Sequence, residues 1–167
     1  MSDTLRIANC SGFYGDRLSA AREMVEGGPI DVLTGDYLAE LTLMILLKDR
    51  LRDPNLGYAR TFLRQLEEVA ASCAERGIKI VVNAGGLNPA GCAEAARALY
   101  TKLGIQAVVA HVEGDDLLPR LEALQGEGEP FTHLDKGIPL RSLEQRQADS
   151  QSAGNHPDDA ALPDEEG

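Results

Sequence analysis

The stretch IKIVVNAGGLNP, residues 78–89, decides how the rest of the chain is read. Its first five residues are mostly β-branched and lie between Gly77 and Asn83, which predicts a strand. Asn88 then stands where an N-cap is wanted, and Pro89 at a first helical position, where its missing N–H costs nothing. A strand, a short glycine loop and a capped helix make the repeating unit of a parallel α/β sheet.

Working upstream, residues 60–76 repeat apolar side chains with helical spacing, since Phe62, Leu63, Leu66, Val69, Ala70 and Cys73 share one side. Gly77 is placed as the stop of that helix. Residues 29–33 read as a strand running into Thr34, Gly35 and Asp36. Residues 37–51 are helical and apolar on nearly all sides, which predicts burial on more than one face. Asp53, Pro54 and Gly57 break that helix. At the start, residues 5–8 read as a strand and 18–25 as a helix.

Downstream, the helix opened by Pro89 runs to about Leu103 with Gly104 closing it, residues 105–112 read as a fourth strand, and 115–124 as a helix. After Gln125 the pattern thins, with room for one short extended piece in 131–140. From Arg141 onward there is no β-branched residue, no aromatic and no periodicity, so 141–167 read as a disordered acidic tail. The expected fold is α/β: a Rossmann-like, doubly wound parallel sheet of about four strands with flanking helices in residues 1–140.

Composition limits the function. The 167 residues carry a formal net charge of −11, and phosphate-backbone binding is driven by Lys and Arg, so nucleic acid is not an expected partner. Aromatics at 4% with no Trp leave little for base stacking. Residues 141–167 hold two Arg against seven Asp and Glu, so the acidity is concentrated there. The greasiest run, residues 41–47, is far short of the roughly 20 residues of a membrane span. Three cysteines, Cys10, Cys73 and Cys92, show no metal-ligand spacing, and with no leader at the N-terminus they predict a reducing, cytoplasmic setting. His133 with Asp135 is too isolated for a metal site.

Three loops follow strands directly: NCSGFYGDR from Asn9, TGDY from Thr34 and NAGGLNP from Asn83. In a parallel sheet all three emerge on the carboxyl edge, where ligands bind. Small residues let backbone N–H groups approach a ligand, and helix N-termini favour anions, so a phosphate, carboxylate or acyl-thioester is the expected class. Taken singly, each loop also reads as a tight turn, with Asp16, Asp36 and Asn88 as caps. Neither GxGxxG nor GxxxxGK[ST] is present. Cys10 at a strand end reads as a small core residue, no His lies near it, and no catalytic triad can be assembled.

IANCSGFYGDRLSAAREMVEGGPIDVLTGDYLAELT, followed later by VVNAGGLNP and HLDKGIPL, resembles the N-terminal part of the acyclic terpene utilisation protein A family over about residues 1–140. The resemblance implies a bacterial protein of citronellol or geraniol breakdown, a route that runs through acyl-CoA thioesters and includes a biotin-dependent geranyl-CoA carboxylase. It carries over no catalytic residue and leaves the cofactor unknown; what it carries over is a ligand site. That site is expected at Asn9, Ser11, Gly12, Gly15, Asp16, Thr34, Gly35, Asp36, Asn83, Gly85, Gly86 and Asn88, with a CoA thioester as the implied ligand. The alternative is a scaffold or binding subunit for pathway enzymes. Members of the family continue for several hundred residues, whereas here the resemblance is expected to stop near Leu140. The chain therefore also reads as an N-terminal fragment, either completed by a missing C-terminal portion or by forming a homo-oligomer, or else as a truncated product without function.

Overall fold

The computed structural model describes residues 4–140. Three short strands, β1 (Ile7–Asn9), β2 (Val32–Gly35) and β3 (Lys79–Val82), form a parallel sheet in that order. The register sets Ala8 beside Leu33 and Leu33 beside Ile80, so those three side chains share one face. Helix α1 (Ala20–Glu26) joins β1 to β2, and α2 (Glu40–Arg52) with α3 (Arg60–Arg76) joins β2 to β3. Helix α4 (Pro89–Lys102) follows β3; beyond it lie a 3-10 turn, Leu118–Arg120, and α5 (Leu121–Gly126).

Helices α1 and α3 pack on each other and on the Ala8–Leu33–Ile80 face. Ala21, Val25, Leu33, Val69 and Cys73 are buried there, at roughly 1.5–3 kcal/mol for each large aliphatic side chain removed from water. A second cluster, with Tyr37, Phe62, Leu66 and Ala70 against Cys92 and Ala96, seats α4 on α3. Arg6 ties β1 to the start of β2, since its backbone and side-chain N–H groups all donate to the Asp31 carboxylate at 2.8–3.0 Å.

Five expectations need correction, four of them before Asp116 or at α5. Residues 105–112 form no strand: Val108 and Val112 are exposed, Ile105 and Val109 lean on the second cluster, and Arg97 takes the Val109 carbonyl at 2.8 Å. No ladder joins this segment to β3. Helices α1 and α3 cover one face, and on the other Ile7 and Val81 are each 60% exposed, so the doubly wound arrangement is not seen among the described residues. Helix α2 buries Thr42 and Leu46 alone rather than several faces. The helix expected over 115–124 is instead the 3-10 turn followed by the six residues of α5.

The chain divides into two units, Met1–Asp115 and Asp116–Gly167. In the second, the extended piece expected within 131–140 is a bent loop closed by Gly137 N–H on the His133 carbonyl, and His133 Nδ1 accepts the N–H groups of Asp135 and Lys136. The acidic tail lies outside the described residues.

Candidate functional site

Carboxyl ends of β1, β2 and β3 meet in a continuous hydrogen-bonded edge. Cys10 N–H donates to Thr34 at 2.8 Å, and Asp36 N–H donates to Ser11 at 3.0 Å, extending the β1–β2 pairing into the loops. Asn9 Nδ2 donates to the same Ser11 carbonyl at 2.8 Å. Thr34 Oγ1 shares its hydrogen between the Ala8 carbonyl, 3.2 Å away, and Asn9 Oδ1, 3.3 Å away. On the β3 side Asn83 bridges across: its Oδ1 accepts Tyr37 N–H at 2.7 Å and its Nδ2 donates to Asp36 at 2.6 Å. The three loops, far apart in sequence, are thus wired to one another.

Beside β1 the edge opens into a depression of about 390 Å³ lined by Asn9, Cys10, Ser11, Gly12, Asp16, Arg17, Ala20 and Met24. Its floor is the first loop, folded around the Asp16 carboxylate. Gly12 N–H donates to Asp16 Oδ2 at 2.9 Å and Arg17 N–H to Oδ1 at 2.7 Å. Those two backbone N–H groups, the Gly12 one first, hold the Asp16 carboxyl below its ordinary pKa. Asp36 is likewise lowered by the Asn83 amide and the Leu38 N–H. The loop therefore has an anion cradle, and its own aspartate fills it.

Helix N-termini do not supply that cradle. Helix α1 starts three residues after Arg17, α2 starts four residues after Asp36, and the α4 terminus is closed by Asn88 Oδ1 accepting Gly91 N–H at 2.9 Å.

The twelve expected residues separate into seven on the edge, one turn glycine and four others. Asn9, Ser11, Gly12 and Asp16 line the depression, and Thr34, Asp36 and Asn83 continue the edge from it. Gly15 has φ +96°, a turn that a side chain would strain. The other four serve packing. A Cβ on Gly35 would stand 2.6 Å from the Tyr37 ring, one on Gly85 2.8 Å from Pro89, and one on Gly86 2.5 Å from Leu46. Asn88 Nδ2 donates to the carbonyls of Asn55 and Leu56 at 3.2 and 3.0 Å, pinning the turn after α2.

Sequence reading missed Arg17, which lines the depression and pairs with Glu23 at 2.7 Å. It also missed a buried polar node under the loops. Tyr37 Oη donates to Gln65 Oε1 at 2.5 Å, and Gln65 Nε2 donates to the Arg17 carbonyl at 3.2 Å. The signal was there: Gln65 is a polar residue three positions after Phe62 on the apolar side of α3. Cys10, Cys73 and Cys92 are all buried free thiols, and desolvation raises each, Cys92 to about 11. Among the described residues no group of three His, Cys, Asp or Glu could hold a metal ion, and no helix is long and apolar enough to cross a membrane.

Comparison with known families agrees with the motifs on this edge. Residues 5–154 match the model of the acyclic terpene utilisation family protein AtuA. The chain belongs to that family, and the match runs past Leu140. No curated protein and no solved structure matches it.

Proposed function

We propose that the depression beside β1 binds the acidic group of a small ligand, an acyl-CoA thioester or related anion of acyclic terpenoid breakdown. The observation that carries this reading is the Asp16 carboxylate seated on the N–H groups of Gly12 and Arg17. Backbone donors that hold one oxyanion suit another, a phosphate of a CoA thioester or the carboxylate of a free acid, once Asp16 swings out. Ala20 and Met24 give the wall apolar surface for an acyl chain, and family membership supplies the pathway. Asp16 is then a placeholder, not a ligand contact.

A binding role without chemistry is the second reading. The thiols are buried with raised pKa values, and the Asp16 and Asp36 carboxyls are lowered away from neutrality, so none is tuned as a general acid or base at neutral pH. This favours a subunit that holds a thioester for another enzyme.

Thermal-shift measurement with CoA, acyl-CoA and free acyclic terpenoid acids tests the site. The expected result is stabilisation of the wild-type chain that is lost in Gly12→Val. Gly12 is the right probe because a Cβ there meets nothing closer than Asp16 Oδ2 at 3.8 Å, and an unchanged far-UV circular dichroism spectrum of the variant checks that the fold is kept. No response to any thioester or acid would refute the reading.

A further inference from the structure

The outer face of α2 has no use in the site. Its inner side is occupied: Leu46 is fully buried next to Gly86, and Arg50 Nη1 donates to the Leu87 carbonyl at 2.7 Å. The outer side carries Leu41, Met44 and Leu51 at 66, 55 and 77% exposure, with Ile45 and Leu47 also open. These recur at helical spacing along 13 residues, so they form one apolar stripe, not scattered surface positions.

We propose that this stripe is a homodimer seam, on which a second copy of the chain packs its own α2 antiparallel. The charges on the helix select that occupant. Glu40 stands exposed at the N-terminal end, and Lys48 and Arg52 stand exposed toward the other. Antiparallel pairing about the level of Leu46 sets Glu40 against the second copy's Arg52, Leu41 against its Leu51, and Met44 against the aliphatic stem of its Lys48. Parallel pairing would instead oppose like charges at both ends. The chain as a whole carries −11, so two copies repel over most of their surface. The exposed charges of this stripe are one acid and two bases, so repulsion there is weaker than the −11 of the whole chain implies.

A 13-residue helix spans about 20 Å, which puts a two-helix seam at the small end of specific interfaces. The dimer is accordingly weak, with dissociation in the micromolar range. Sedimentation equilibrium of the full chain over about 1–200 µM tests this. The expected mass rises with concentration from 17.9 kDa toward twice that value. Leu51→Glu keeps the mass at that of the monomer with unchanged circular dichroism, because Leu51 makes no buried contact in the single chain. Glu40→Arg and Arg52→Glu each weaken association at least about tenfold, and the double variant regains it.

A monomer throughout the range overturns the proposal, with another segment or another protein then covering α2. A dimer indifferent to Leu51→Glu overturns it by placing the interface elsewhere. Failure of the double variant to recover overturns the antiparallel arrangement.

Discussion

Asp16 and Asp31 show how one residue type does two jobs in this chain. Asp31 answers the Arg6 guanidinium and backbone N–H, which hold its carboxyl at about 2. Because that folded pKa is depressed, the stability it contributes is complete above the ordinary aspartate range and is lost as pH falls toward 2. Urea midpoints of wild type and Asp31→Asn are expected to differ at neutral pH and to converge between about pH 4 and 2; parallel curves would show that the pair contributes nothing. The Tyr37–Gln65 node is a buried polar pair, and Tyr37→Phe strands the Gln65 oxygen. A loss of about 1–3 kcal/mol by denaturant unfolding is expected, and none would mean that Gln65 finds another partner. All three thiols are buried and shifted upward, so iodoacetamide is expected to alkylate them only when the chain unfolds. Rapid labelling of Cys10 in the native chain would contradict its core assignment. The sequence could place Gly35, Gly85 and Gly86 in loops but not say what their missing Cβ makes room for. For Gly35 and Gly86 it is a neighbouring side chain, Tyr37 and Leu46, and for Gly85 it is Pro89, its backbone first, which only the folded arrangement reveals.

At the scale of elements, legibility followed locality. The stretch 78–89 could be read because strand propensity, the Asn88 cap and Pro89 act within a few residues. Helix α3 could be read because its apolar side and its stop at Gly77, with φ +69°, are local too. Residues 105–112 have the composition of a strand, yet a strand needs a partner, and this segment pairs with none of the three strands. Apolar composition in α2 likewise gave the helix but not which sides are covered. The turn after α2, the glycine loop and the α4 cap behave as one joint through Asn88 and Gly86. Asn88→Ala is expected to cost about 1–2 kcal/mol by denaturant unfolding, from the lost cap and the freed carbonyls of Asn55 and Leu56. Gly86→Val puts a β-branched residue at φ +52° with its Cβ 2.9 Å from the Gly57 carbonyl, and should cost about 2–4 kcal/mol. A neutral result for either variant would mean that this joint does not hold the loop in place. Gly86 is for that reason a poor probe of ligand binding, and Gly12 a good one.

For the whole molecule, the carboxyl edge was legible as a place before any of its contacts were. Strand-to-loop order alone brought Asn9, Ser11, Gly12, Asp16, Thr34, Asp36 and Asn83 to one side of a parallel sheet. What it could not show is that the anion-holding groups are the Gly12 and Arg17 amides and not helix ends, or that Asp16 already sits on them. On the proposed reading, the depression is a ligand site and Asp16 yields its two backbone donors to the ligand. The direct test is a nitrogen-15 NMR titration of the full chain with an acyclic acyl-CoA, following backbone amides. The account predicts that the Gly12 and Arg17 cross-peaks shift together and saturate, and that Asp16→Ala binds more tightly than wild type because its internal competitor is gone. Unmoved Gly12 and Arg17 amides, or weaker binding by Asp16→Ala, would contradict it.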